Sequence, residues 1–455
     1  MMTFTLSEIA RAVDGVLQGD GNKVIFGVST DSRKIESQEL FVALRGERFD
    51  GHDFIPGLKG KCAAILSEEE APGFDVILVP DTLKALGALA AYWKKTVAPR
   101  VTVGVTGSVG KTTTKELIAS VLKQKYKTHF TSGNLNNHIG VPITLIRIEQ
   151  GTDAVVCEMG MSEKGEIEYL TDLVRPNLAV ITNIGTSHIE KLGSREGILD
   201  AKLEILSGME KGSTIILDGD EPLFRTERSQ KLLSDFSVLY VGFDSGNDIY
   251  PLDIYKGADD ISFDVISKEK EFRVTVPAVG DHFIKNALFA AAVGLCVGVT
   301  EEEIQNGLVA YAPSGLRQKI YEKDGVRVIA DCYNASPESM DASLKVLGSA
   351  PGRKIAVLGD MLELGSLAES AHHKVGETAF ACGAEKIFSY GKASYHIMLG
   401  AVEAGMPKNN VVHSIDSQLL VTLIKEVLRP GDTILFKASR KMKLEEMISS
   451  CGLSE

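Results

Sequence analysis

A β-branched run, "RVTVGVT" (Arg100 to Thr106), leads straight into "GSVG" and then "KTTTKELIASVLKQKY", a segment with helical spacing. Strand, glycine loop and helix in that order read as part of a parallel sheet with helices on both faces. Loop amides at a helix N-terminus can also surround phosphate oxygens, and the helix dipole favours the anion. The usual pattern, G-x-x-x-x-G-K-[ST], would require glycine at position 105, where Val105 stands. The chain spells a shorter G-x-x-G-K-T-T instead. Gly107, Ser108, Val109, Gly110, Lys111, Thr112 and Thr113 are thus candidate phosphate-binding residues. In that reading Lys111 reaches the β- and γ-phosphates of ATP and the Thr112 hydroxyl binds Mg²⁺. The alternative is a glycine turn that binds nothing; the strand before and the Lys-Thr and helix after favour the phosphate loop.

A site of this kind also needs an acid at the end of a neighbouring strand to hold the metal. "DAVVCEMG" supplies Glu158 after four apolar residues. An acid there is often only a solvated or capping residue, but beside a phosphate loop it becomes the leading metal candidate. "ITNIGTSHIEKLGS" places Asn183 at a strand end and His188 in the loop after it. A loop histidine is commonly a surface residue; its strand-end position in an open parallel sheet makes it a ligand candidate as well.

With 455 residues, the chain is long enough for about three domains. Residues 1–98 show short apolar runs broken by Gly and Asp, closing with a helix over "TLKALGALAAYWKKTV", and predict a small α/β domain. Residues 99–312 carry the glycine loop and a strand-rich stretch from about 212 to 280, then an Ala-rich helix. Residues 313–455, opening within "YAPSGLRQKI", alternate strands ("VRVIADCY", "KIAVLGDM", "KIFSYG", "DTILFKAS") with helices and predict a Rossmann-like unit. Six scattered cysteines with no C-x-x-C pair argue against a zinc ribbon or disulfide framework. A net charge of −12 without a long basic run makes nucleic acid an unexpected partner. The longest apolar stretch, Ala287 to Val299, is shorter than the roughly 18 residues of a bilayer span. With no signal-like N-terminus either, a cytoplasmic protein without membrane contact is expected.

These pieces together resemble the Mur ligase family, ATP-dependent amide ligases of peptidoglycan precursor synthesis. The likeness runs through "TGSVGKTT", "GNLNNHIGVP" with Asn136 and Asn137, "CEMG" with Glu158, "NIGTSH" with His188 and "DAKLEI" with Lys202. It continues through "GDHFIKNALFAAA", "SGLRQKI" with Arg317 and "DCYNASP" with Asp331 and Asn334, in the family's order and across the whole chain. The N-terminal "STDSRKIESQELFVALRGERFDGHDFI" and the C-terminal "GDMLELG", followed by His372, are similar to the family member that joins a dipeptide to a UDP-muramoyl-tripeptide. Two positions depart from the family pattern. Phe283 stands where an Asn usually follows the His, which leaves Asn286 as the candidate for the adenine edge; Ala438 replaces a glycine in "FKASR".

The resemblance implies that the carboxylate of a UDP-N-acetylmuramoyl-tripeptide attacks the γ-phosphate of ATP, and that the amine of D-alanyl-D-alanine attacks the resulting acyl phosphate. It implies two Mg²⁺ ions, one on Thr112 and Glu158 and a second near His188. Lys202, whose spacing alone suggests a solvated helix lysine, would be carbamylated and act as a metal-orienting carboxylate. Arg317 would close over the phosphates and Asp331 would bond the ribose or its neighbouring loop. Ser32, Arg33 and the Gly46-to-His52 loop, with Asp50, would hold the UDP group, and Lys437, Ser439 and Arg440 would meet the dipeptide. A monomer is expected. Two other readings stand beside this one: a folylpolyglutamate-type ligase, which shares the central loop, and a non-catalytic phosphate-loop scaffold.

Overall fold

The computed structural model describes all residues except 1, 2, 47, 48, 314 and 316. Two residues of the Gly46-to-His52 loop, and Ser314 and Leu316 of "SGLRQKI", therefore lie outside the described residues.

The middle of the chain forms a nine-stranded sheet in the spatial order 128–130, 154–158, 101–106, 178–181, 214–218, 237–241, 249–256, 261–267, 271–276. Pairing is parallel from the first of these through 249–256 and antiparallel for the last two. The strand-rich stretch after residue 212 thus extends the same sheet and ends it in a meander. Strand Val101–Thr106 is buried at all six positions, as expected for a parallel strand covered on both faces. From it the chain first builds strands on one side of the sheet and then crosses to the other. That reversal opens a crevice at its carboxyl end, where open α/β sheets bind ligands. Helix Lys111–Leu122 follows, packed against the apolar helix Asp281–Cys296 in one core cluster. That packing, not a bilayer, accounts for the Ala-rich run; no helix among the described residues is long and apolar enough to cross a membrane.

Two smaller sheets flank this one. The first orders strands 16–18, 76–78, 64–67, 40–42 and 28–29, all parallel except the first. The last orders strands 319–323, 326–331, 433–437, 354–359, 386–390 and 411–414, parallel except for the opening hairpin. Strand Thr433–Lys437 enters between two earlier strands, so Asp331 and Lys437 end side by side.

The flanking sheets attach differently. Helix Thr82–Val97, N-capped by Asp81, buries Leu86, Leu89, Ala90 and Trp93 in a core that runs without a break into Val141, Leu145, Ile167 and Leu170. The Trp93 indole N–H donates to the carbonyl of Ile148 at 2.8 Å. The last sheet keeps its own two cores, one of which takes in Val279 of the middle unit, and meets that unit also through polar contacts such as Arg327–Asp259 and Gln318 to the Val279 carbonyl. Trp93 is therefore the bolt of the first joint. Trp93→Ala is expected to cost about 3–5 kcal/mol of stability. Chemical denaturation checks this, and an unchanged midpoint would refute the assignment.

Candidate active site

The phosphate loop lies between strand Val101–Thr106 and helix Lys111–Leu122, with Gly110 in the left-handed region at φ 79° as the helix N-cap. Gly107 has φ 147°, and a Cβ there would run into the Thr182 hydroxyl, so only glycine fits. The Asn183 side chain braces the loop. Its oxygen accepts from the amides of Ser108 (3.2 Å) and Val109 (3.0 Å), and its amide donates to the Val109 carbonyl (3.0 Å). The sequence marked Asn183 only as a strand-end residue. Parallel pairing of the two strands turns that position into the loop's support.

Lys111 donates to the carbonyls of Gly107 (2.7 Å) and Ser108 (3.2 Å), so its ammonium sits inside the loop. Burial, opposed by Glu158, lowers its proton affinity. The Thr112 hydroxyl donates to one Glu158 oxygen at 2.7 Å, and the Asn136 amide to the other at 2.8 Å. The Asn137 side-chain oxygen instead accepts from the Gly140 amide at 2.9 Å. Lys115, buried behind Glu158 at 3.9 Å, donates to the Thr131 carbonyl at 2.8 Å. Nothing in the sequence distinguishes it from a solvated helix lysine.

His188, itself left-handed at φ 62°, pairs through Nδ1 with Glu363 of the last unit at 2.7 Å. Lys202 is buried on helix Arg195–Leu203, and no hydrogen bond or ion pair holds its ammonium among the described residues. Burial, reinforced by the charge of Lys111, pushes its pKa well below that of an ordinary lysine. The solvated-lysine alternative is thereby set aside.

A cleft of about 1150 Å³ brings Lys111, Thr112, Glu158 and His188 together with residues of the last unit, while Lys202 and Lys115 lie behind its walls. Ser108 to Thr113, Asn136, Asn137, Glu158, His188, Asn286, Arg317, Asp331, Asn334 and Lys437 all line it. The Arg317 guanidinium lies over the Tyr333 ring at 3.7 Å. Lys437 forms an ion pair with Asp331 at 2.5 Å, and Ser343 donates to the same Asp331 oxygen at 2.6 Å. Burial would raise the Asp331 pKa, but Lys437 and Ser343 outweigh it and leave a carboxylate. Asn286 accepts from Thr114, and its amide nitrogen is buried without a partner, leaving a donor for a ligand's acceptor edge. Phe283, at the departing position, is a core residue against Tyr311.

Other candidates lie outside the cleft. Arg33 pairs with its neighbour Asp31 at 2.8 Å on the surface, and Ser32 lies beside it. Asp50 accepts from His52 Nδ1 at 2.5 Å, and the Gly46 amide donates to the Phe49 carbonyl at 2.9 Å. Both belong to the first unit. Ser439 is buried and accepts from the Leu362 amide at 3.0 Å. Sequence reasoning passed over Lys285, which lines the cleft bound to Asp218 at 2.8 Å and Asp220 at 2.9 Å.

Three family models match in succession: the catalytic domain of the Mur ligase family at residues 24–94, the Mur ligase middle domain at 105–294, and the Mur ligase glutamate ligase domain at 317–440. A UDP-N-acetylmuramoyl-tripeptide–D-alanyl-D-alanine ligase of Bacillus subtilis is 41% identical over 98% of both chains. The crystal structure of MurF from Acinetobacter baumannii superposes with a TM-score of 0.91 at 30% identity, covering 99% of each chain. MurF of Thermotoga maritima, solved in complex with ADP, gives 0.83 at 28% identity over 93% of this chain and 96% of that one. Similarity on this scale reaches from the first sheet through the phosphate loop to the last strand, and the chain belongs to the Mur ligase family.

Proposed function

We propose that this chain is an ATP-dependent amide ligase that adds D-alanyl-D-alanine to UDP-N-acetylmuramoyl-tripeptide in peptidoglycan precursor synthesis. The observation that carries this is the single cleft in which the phosphate loop and the Thr112–Glu158 pair face Arg317, Asn334 and Lys437 of the last unit. Relatives similar from end to end bear that activity in their names. The division of labour follows the chain: residues 1–98 hold the UDP substrate, 99–312 the ATP, and 313–455 the incoming dipeptide. The enzyme works as a cytoplasmic monomer.

The tripeptide carboxylate attacks the γ-phosphorus and ADP leaves. The dipeptide amine then attacks the acyl carbon, phosphate departs, and the amine gives up its proton. A carboxylate and a triphosphate repel each other, so the protein must position them and neutralise their charge. Lys111 exchanges its loop carbonyls for phosphate oxygens, and Arg317 approaches from the other wall. The Asn286 amide meets the adenine edge. Lys437, held by Asp331, and Asn334 face the dipeptide. Thr112 and Glu158 offer the hard oxygen donors that Mg²⁺ takes alongside phosphate, and they would hold it. Bound there, the ion would supply further neutralisation of phosphate charge. His188 and a carbamylated Lys202 would serve a second ion.

Lys111→Ala is expected to lower turnover by about 10²-fold or more, since it removes the loop's cation. The assay is ADP release, which in the wild type should need both the UDP-tripeptide and D-alanyl-D-alanine. Near-wild-type turnover would refute the loop assignment.

Lys202 is a buried amine that burial drives toward the neutral form. A neutral amine adds CO₂ with loss of a proton, giving an anion with two oxygens. Lys202→Ala should therefore be nearly inactive and partly rescued by formate or acetate. With ¹³C-bicarbonate, the wild type should give a carbamate carbon signal that the variant lacks. Full activity of Lys202→Ala in CO₂-depleted buffer would rule the modification out.

A further inference from the structure

The loop Ile184–His188 is gripped from both sides. On one side the Gly185 amide donates to the Ser108 hydroxyl oxygen of the phosphate loop at 2.9 Å. On the other, a single oxygen of Glu338 accepts from the Thr186 amide at 2.8 Å and the Thr186 hydroxyl at 2.9 Å. Glu338 belongs to the first turn of helix Pro337–Ser349, so this contact joins the last unit to the middle one. The fit at Gly185 is tight: a Cβ there would lie 2.8 Å from that Glu338 oxygen and 3.1 Å from the Ser108 Cβ. The second Glu338 oxygen is buried without a hydrogen-bond partner. Glu338 therefore occupies this place for the contact made by its first oxygen, not because both are satisfied.

We propose that Glu338 is a positioning residue that couples seating of the last unit to the phosphate loop. When that unit docks, Glu338 takes hold of Thr186 and keeps Gly185 against Ser108. The loop that must orient the γ-phosphate keeps its Asn183 brace throughout, but its second support, Gly185 on Ser108, is backed only while the wall bearing Arg317 and Lys437 is in place. Phosphoryl transfer is thereby withheld until the dipeptide side of the cleft is assembled. The contact needs an acceptor oxygen at this position, not a negative charge. Glu338 lines the cleft, but its hydrogen bonds go to Thr186 and none goes to the phosphate loop, so its loss should affect turnover more than nucleotide binding.

This inference rests on the ligase reading, and the experiment separates the two. In the full-length enzyme, Glu338→Ala should lower kcat about tenfold, because a small misplacement of reacting groups is costly. Affinity for a non-hydrolysable ATP analogue, measured by calorimetry, should stay within about twofold of the wild type. Solution scattering with the analogue and UDP-tripeptide should show a larger radius of gyration for Glu338→Ala than for the wild type. Glu338→Gln keeps a carbonyl oxygen for Thr186 and should recover most of the lost kcat. Thr186→Val removes only the hydroxyl donor and should shift kcat in the same direction by less, which keeps the test readable if Glu338→Ala melts early. Wild-type kcat in Glu338→Ala and Thr186→Val overturns the proposal. So does a Glu338→Gln no better than alanine, or a loss of analogue affinity equal to the loss of kcat. Absence of amide product from the wild type would instead sink the ligase reading, while calorimetry and scattering would still judge the latch.

Discussion

Everything in the site hangs on the register between three parallel strands. Val105 lies opposite Glu158, and Thr106 opposite Ile181, so three chains reach the same edge of the sheet together. One continues as the phosphate loop, one delivers a carboxylate onto the Thr112 hydroxyl, and one turns into Asn183 and the loop that carries His188. A parallel strand slipped by one residue would turn its alternating side chains to the opposite face. Val101, Val103 and Val105 fill one packed face, while Gly104 leaves room for Met159 on the other, and a slip would drive a valine into that space, so the hydrophobic core is also what aligns the chemistry.

Legibility in the sequence followed the same physics. Buried parallel strands read as apolar runs, and helix Thr82–Val97 matched its expected span to the residue. Strands Ile249–Lys256 and Lys319–Lys323 were not anticipated. The first contains Pro251 and the second is largely polar, and each pairs antiparallel on one side, where half-exposed positions blur the pattern. Within the site, Lys111 and Thr112 were legible because local chain geometry places them on the loop, and Glu158 because it ends an apolar run that reads as a neighbouring buried strand. Asn183 as a brace, Lys115 behind Glu158 and Glu338 across the cleft were not. Their roles depend on which elements become neighbours, and a single residue type at a helix or strand end carries no record of that.

The electrostatics resolve an apparent mismatch between an acidic protein and a polyanionic substrate. A net charge of −12 gives no long-range attraction for a triphosphate. Attraction is local instead: the Lys111 ammonium in the loop lies close enough to the Arg317 guanidinium for the second charge to disfavour its protonation, with Lys115 and Lys437 tied to carboxylates nearby. Cations clustered with so little water repel one another until anions arrive, and that repulsion is relieved by the substrate itself.

The unequal joints have a consequence for evolution as well as motion. The first unit shares a continuous core with the middle one, through Trp93 and the helix beneath it, whereas the last unit keeps cores of its own and meets it through polar contacts and the apolar side chain of Val279. A shared core binds the two sequences to each other, since a change in volume on one side must be answered on the other. A polar seam imposes no such debt. The last unit can therefore be remodelled or exchanged with the rest of the machine left standing, whereas the first unit can change only in step with its neighbour.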